Sequence, residues 1–347
     1  MDLDIAALLA VDGISTGAVY VLLAIGMVLI FTVTRVIFVP FGDIAAFSAL
    51  TLSALEGQRT PGTITLVAVL AVFATAAEVF GLLRGGRARA VPAALGFYLV
   101  LPLAIAGLVW AASGHAWPMP VRIALAILVV LPIAPLLDRL VFRPVADGSV
   151  LLLMTISVAL HFALAGVGLL FFGAEGVRTQ PLTDASFDLG DMTVSGQTVM
   201  IVAASVLFSL LLFLFFNLTL TGKALQATAV NRVGARLVAI RPNRAGTIAY
   251  LIGSLMAGIS GVLIAPVNTI FYDSGFLLGL FAFVGAIIGG LQSYPGTALG
   301  ALLVGLLGSF ASFYSSAFKE VIVFAALIPV LLWRSVATVH SEEEIEE

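Results

Sequence analysis

The sequence has no cysteine, which excludes a disulfide framework and any thiolate metal site. Its three histidines, at positions 115, 161 and 340, are too scattered to suggest a histidine metal site. Charge is scarce as well. Asp, Glu, Lys and Arg make up 10% of the chain and hydrophobic residues 61%, whereas a soluble domain carries about 25% charged residues. So little charge cannot keep a soluble surface wet, and the chain reads as an integral membrane protein. There is no G-x-x-x-x-G-K-[ST] loop. The nearest string, Asn217 to Ala224, holds Gly222-Lys223 but lacks the first glycine and the following Ser or Thr, so it cannot cradle ATP phosphates. No cleavable signal peptide is expected, because the start is acidic (Asp2, Asp4) and its first apolar run leads into a longer one. The net charge of −3 is dominated by Glu342–Glu347, and a disordered, solvated acidic tail is expected at 341–347.

What is present is apolar sequence in long runs. A membrane helix needs about 20 apolar residues. Runs near 13–34, 40–55, 61–83, 90–112, 118–140, 149–173, 195–218, 243–267, 276–292, 296–315 and 317–334 predict about eleven spans, with 40–55 and 276–292 conspicuously short. Small residues four apart recur within them: Gly13 and Gly17, Ser254 and Gly258, Ala257 and Gly261, Gly285 and Gly289, Ala301 and Gly305. That spacing lets helix backbones approach closely in lipid.

The charges set the topology. If 219–244 is cytoplasmic, alternation places 84–90, 139–148 and the C-terminus inside too. Arg84, Arg87, Arg89, Arg139, Arg143 and Arg334, with Lys223, Arg232, Arg236, Arg241 and Arg244, are then eleven of the sixteen Lys and Arg. The opposite loops hold Glu56, Glu175, Asp184, Asp188, Asp191 and Asp273, with only Arg59 and Arg178 as cations. Basic residues inside predict an outside N-terminus and an inside C-terminus. Glu78, Arg122 and Asp138 lie near span ends and are expected to snorkel or sit in the interface. Lys319 and Glu320 mark the outer end of the last span.

The segment Thr219 to Arg244 carries five cations and no acid, with Gly222 and Pro242 punctuating its ends. Its composition predicts a short helix along the cytoplasmic surface, with Arg232 and Arg236 on one face and Leu225, Ala229 and Val233 on another. A basic loop that only fixes topology is the plainer alternative. At Phe38 to Ala49, Pro40 and Gly42 break an apolar run that also holds Asp43. Irregular backbone at membrane depth is tolerated only where protein buries it or a cavity wets it, and such interrupted segments point to transporter substrate sites. The alternative is that Asp43 ends a helix in the interface. His161, in mid-span, reads as a helix–helix hydrogen-bonder or a pathway residue.

Four blocks resemble permeases of the branched-chain amino acid (Liv-type) ABC importer family. Gly222-Lys223-Ala224-Leu225-Gln226-Ala227, Asn231-Arg232, Ala235-Arg236-Leu237 and Ile240 are similar to that family's ATPase-contacting segment, with Asn231, Val233 and Ala239 replacing its usual Asp, Glu and Gly. Arg35-Val36-Ile37 with Gly42-Asp43 resembles a second block, in which Phe38 stands for the family's Asn and Phe41 precedes the Gly. Phe142-Arg143-Pro144-Val145, then Thr155-Ile156-Ser157-Val158 and Phe171-Phe172-Gly173, resemble a third. Gly289-Gly290-Leu291, Ser293, Gly296 and Gly300 resemble a fourth, with Gln292 for a usual Gly and a tight inside turn expected at Pro295-Gly296.

The resemblance covers about Gly13 to Arg334. It implies an all-α polytopic membrane protein, one permease domain over 1–347, with a coupling segment at 219–244 and a main outer loop at 174–196. That acidic loop is read as a short ordered or strand-like excursion that docks a binding protein, or as a charged solvated loop. The resemblance implies a non-enzymatic subunit with no cofactor of its own, ATP being bound by partner subunits. Those partners are two ABC ATPase subunits, a second permease (copy or paralogue), an extracytoplasmic solute-binding protein and membrane lipid, with no nucleic acid. It implies a bacterial-type inner membrane and a branched-chain or other hydrophobic amino acid as substrate, with urea, short amides and aromatic acids as further possibilities. The expected pathway residues are Phe38, Phe41, Gly42, Asp43, Thr155, Ser157 and His161. The expected coupling residues are Gly222, Lys223, Ala224, Leu225, Arg232, Ala235, Arg236 and Leu237. Rival classes are an ion-gradient-driven transporter, which usually chains carboxylates within its spans, and a membrane-embedded enzyme, which needs clustered catalytic groups that are missing here.

The absence of cysteine makes the topology directly testable. Arg87→Cys and Arg236→Cys should label only from the cytoplasmic side and Asp188→Cys only from outside. Labelling at 188 solely from inside would overturn the map.

Overall fold

The computed structural model describes residues 3–146, 148–189, 192–291 and 293–332. Asp2, Asp191, Gln292, Arg334, His340 and the acidic tail at 341–347 lie outside the described residues. In chain order the helices are α1 (Leu3–Thr34), α2 (Phe41–Glu56) and α3 (Thr63–Arg84), then two composite spans, α4 (Ala88–Ser113) and α5 (Met119–Val145), and α6 (Val150–Phe172). A hairpin of β1 (Ser186–Leu189) and β2 (Met192–Ser195) pairs antiparallel, Phe187 opposite Val194. There follow α7 (Gly196–Leu218), α8 (Leu220–Val230), α9 (Arg232–Leu237), α10 (Pro242–Ile264), α11 (Gly275–Gly289), α12 (Tyr294–Ser315) and α13 (Lys319–Ala325).

Eight described stretches are long and apolar enough to cross a membrane, the last being Tyr294–Leu332. That last run breaks at Ser315, where φ −162° and ψ 97° leave the helical region. Beyond the break α13 folds back, and Phe324 stacks on Phe281 with ring centroids 5.7 Å apart. The run is therefore two arms. With α2 and α11 added, the eleven expected segments are all helical, but their bounds and nature differ. The first begins at Leu3 rather than near 13. Pro295 sits in the first turn of α12, behind an N-cap in which Ser293 Oγ accepts from Gly296 N at 3.2 Å. Proline is tolerated there because that N–H would be unpaired anyway, so the tight turn falls at Gly290 (φ 99°) and Leu291 (φ 52°) instead. Helices α4 and α5 are irregular, each with one π turn, at Gly96–Val100 and Asp138–Phe142. Pro132 and Pro135 lie just before the second and remove backbone donors from α5.

The two short helices are half-crossings. Phe41 and Gly42 begin α2 at the mid-height of its neighbours: Gly253, halfway along the 23 residues of α10, faces the Phe41 ring. From there α2 runs outward, where Phe47 stacks on Phe172 at 5.6 Å and Glu56 accepts from Gln180 N at 3.4 Å. Helix α11 starts against α2, since Gly42 lies on the backbone of Gly275 and Gly279. It then runs the opposite way, to Gly289 beside Gly296. Each crossing is completed by non-helical chain, 35–40 before α2 and 265–274 before α11, the latter bridged to the loop before β1 through Val177 and Ile270.

The spaced small residues lie where helices touch. Gly17 rests on Leu302 and Gly305, and Gly285 on Ala301, so α1, α12 and α11 meet backbone to backbone. Gly258 packs on Ile127 and Val130 of α5, and Gly261 on Ala45 of α2. A Cβ at Gly261 would stand 2.0 Å from the Ala45 carbonyl oxygen. Gly261→Ala should therefore cost about 1–3 kcal/mol, the usual range for overpacking. Gly107→Ala, with nothing within 4 Å, should leave the melting temperature in detergent unchanged or slightly raised.

Candidate functional site

The site forms where the half-helices meet. Asp43 lies in the first turn of α2, which has no side-chain cap, and it is fully buried. Unpaired N–H groups at a helix start carry partial positive charge, which stabilises a nearby anion by about 0.3–1 kcal/mol, more when buried. The start of α11 adds a second such terminus: Asp43 Oδ1 lies 2.3 Å from where a Cβ on Gly275 would be. Only glycine leaves room for the carboxylate there.

The third partner comes from α6. His161 Nδ1 lies 2.9 Å from both Asp43 oxygens. With Asp43 ionised the carboxylate only accepts and the imidazole donates from Nδ1, so the His161 tautomer sets the direction of the bond. His161 is the central residue of the 23-residue α6, which puts the pair at mid-depth. Its ring stacks on Phe276, centroids 4.8 Å apart. One turn below, Ser157 Oγ accepts from Val39 N at 2.8 Å. That bond satisfies a backbone donor of the non-helical segment 35–40, as buried irregular backbone requires.

Five of the seven expected pathway residues thus converge: Phe41, Gly42, Asp43, Ser157 and His161. Phe38 lies beside them, fully buried, its ring edge-on to Tyr250 at 5.3 Å and to Phe142 at 5.7 Å. Phe38 and Phe41 are fully buried, packed core aromatics here. Thr155 stands apart, exposed on α6, its hydroxyl donating to Leu151 O at 2.9 Å. The residues that sequence reading missed are Gly275 and Phe276, and the only available signal was the shortness of the 276–292 run.

Within 219–244, the expected short helix is instead two, α8 and α9. Thr219 caps α8 by accepting from Gly222 N at 2.9 Å. Asn231 interrupts the run and caps α9, its Oδ1 accepting from Val233 N at 3.0 Å and Gly234 N at 2.9 Å. A short amide competes with the backbone in mid-helix but satisfies a helix start, which explains the break. The expected coupling residues divide. Gly222, Leu225 and Ala235 are buried against the protein's own bundle, Gly222 on the backbone of Phe215 and Phe216. Ala224 and Arg232 are half-buried, and Lys223, Arg236 and Leu237 face outward. Beside them Val230 and Leu237 are 84% exposed, and Val233 and Val238 68%.

Glu78 and Asp138 do not simply snorkel. Arg139 pairs with Glu78, and Arg143 Nε donates to Asp138 Oδ2 at 2.7 Å. Arg143 also donates to Tyr98 Oη at 3.2 Å and to Thr247, joining α4, α5 and α10.

Half-helices whose N-termini meet at mid-depth around a charged residue are a feature of membrane transport proteins. The chain belongs to the family described as the permease component of the branched-chain amino acid transport system, matched over residues 9–331. It is a multi-pass inner-membrane protein, and the family is one of transport components rather than enzymes. It is 28% identical to the high-affinity branched-chain amino acid transport system permease protein BraD of Pseudomonas aeruginosa over 205 residues, 57% of this chain and 67% of that protein. It is 28% identical to the corresponding LivH protein of Escherichia coli K12 over 203 residues, 56% of this chain and 66% of that one. A probable LivH of Methanocaldococcus jannaschii is 26% identical over 197 residues, 54% of this chain and 61% of that protein. The matched stretch thus spans about two thirds of each relative. No solved structure matches significantly.

Removing His161 leaves a buried carboxyl without its side-chain hydrogen-bond partner. His161→Leu should destabilise the protein by about 1–3 kcal/mol, and Asp43→Leu in the same chain should recover most of the loss. Thermal unfolding in detergent measures both, and a wild-type melt for His161→Leu would refute the pairing.

Proposed function

We propose that the protein is the membrane-spanning permease subunit of an ABC importer. It moves a small amphipathic solute, a branched-chain or other hydrophobic amino acid, with power from separate ATPase subunits that bind the ATP. The observation that carries this reading is the mid-depth meeting of two half-helices on Asp43 in a chain of this family. An anion held there by helix termini and one imidazole is suited to take an ammonium group when the helices part. Phe38, Phe41 and Phe276 then supply the apolar surface for a side chain, and Ser157 a hydroxyl.

The partners in this reading are two ATPases, a second permease and an extracytoplasmic binding protein, the last docking near the β1–β2 hairpin. The ATPase seats on the outward face of α8 and α9, with Val230, Val233, Leu237 and Val238 as apolar contacts and Lys223, Arg232 and Arg236 as charges. Gly222, Leu225 and Ala235 support that face from behind. Urea, short amides and aromatic acids are alternative cargoes of the same machine. One observation favours a second class: Asp43–His161 is a buried titratable pair of the kind that couples transport to an ion gradient.

Reconstitution of the permease with its ATPases, second permease and binding protein in liposomes separates these readings. Leucine uptake should require ATP and no ion gradient. Asp43→Asn should lower uptake at least tenfold, about 1.4 kcal/mol, while Glu56→Ala changes little. Leu237→Glu should lose ATPase co-purification with an unaltered melt. Uptake driven by an ion gradient without ATP would assign the protein to the second class, and wild-type uptake by Asp43→Asn would make Asp43 purely structural.

A further inference from the structure

The cytoplasmic end of α10 carries cations that the fold leaves unpaired. Among the described residues Arg236, Arg241 and Arg244 form no ion pair. The described acids nearest in the fold, Glu78 and Asp138, are committed to Arg139 and Arg143. Arg236, Arg241 and Arg244 line one surface concavity together, and Arg241 and Arg244 a second. Arg244 also stands at the mouth of a third, a groove of about 430 Å³ between α4 and α10.

That third groove changes character along its length. At its mouth are Arg244, Asn243 and Thr247, and its far wall is Phe97, Ile248 and Leu251. Phe97 is 45% and Leu251 39% exposed, and both lie within membrane spans. Leu251 is two helical turns beyond Arg244, about 10 Å further into the bilayer at 1.5 Å per residue. A cationic mouth at the level of the headgroups above an apolar channel at the level of the acyl chains fits one ligand class. Basic pockets between spans on the cytoplasmic side bind anionic headgroups. An acidic protein surface would satisfy the arginines but would leave the apolar channel unfilled.

We propose that this groove is a binding site for an anionic phospholipid of the cytoplasmic leaflet. Its phosphodiester lies on Arg244 at the mouth, with Arg241 beside it in the adjoining concavity that Arg244 also lines, and one acyl chain lies along Phe97 and Leu251. The lipid fills the seam between α4 and α10 beside Arg143, which already ties α4, α5 and α10 together.

Native mass spectrometry of the purified full chain, titrated with dioleoylphosphatidylglycerol or dioleoylphosphatidylcholine, tests this. The wild-type protein should retain one phosphatidylglycerol in clear preference to phosphatidylcholine. Neutralising Arg241→Gln and Arg244→Gln should weaken that retention by roughly fivefold each, the scale of one basic side chain at an anionic surface. Leu251→Trp, which fills the channel and leaves every charge in place, should weaken it too. Arg84→Gln, a cytoplasmic cation stacked on Phe80 away from the groove, should not. Equal retention of the two lipids, or undiminished retention in the double Arg variant, would overturn the site. Displacement of the lipid by millimolar inorganic phosphate would reduce it to a bare anion site. Loss of ATPase co-purification with lipid retention unchanged would assign the arginines to a protein partner.

Discussion

A carboxylate held at mid-depth in hydrocarbon costs roughly 2.5–3.5 kcal/mol even on lenient insertion scales, and most of the architecture around Asp43 answers that cost. Two helices begin in the middle of the membrane instead of at its faces, so that their positive ends meet the charge. The irregular chain this requires must in turn have its donors satisfied, and Ser157 does so for Val39. The imidazole of His161 is locked by Phe276, a residue of the second half-helix. The charge, the broken helices and the aromatic stack are one constraint seen from three sides.

Some of this is legible in sequence because its causes are local. Pro40, Gly42 and Asp43 stand within four residues, and each has a backbone or charge consequence that marks the helix break. Small residues four apart announce helix contacts in the same way. His161 is different: it lies 118 residues from Asp43, and no spacing rule connects a mid-span histidine with a distant carboxylate. Gly275 is less legible still, since its importance is the side chain it lacks.

The cytoplasmic segment shows where local reasoning stops short. Helix propensity runs through Thr219–Arg244, yet Asn231 splits it because an amide that is a poor mid-helix residue is a good cap. The Ala, Gly and Leu positions that resemble a coupling motif turn inward in part, while exposed Val230 and Val238 lie outside it and exposed Val233 stands where it usually has Glu. Charge asymmetry is readable as a sum. Which cations are already paired, such as Arg139 and Arg143, and which are free is decided by helices far apart in sequence.

The contact of α1, α11 and α12 through glycine and alanine has a mechanical meaning. Where Gly17 meets Gly305 and Gly285 meets Ala301, no layer of side chains intervenes to change rotamer, so α12 is held directly against α1 and against α11. Large side chains intervene between α1 and α11, where the Tyr20 and Phe281 rings lie 5.5 Å apart, and between α5 and α10, at Ile127 and Val130. Sliding where side chains intervene repacks rotamers, whereas sliding along α12 must move backbone against backbone.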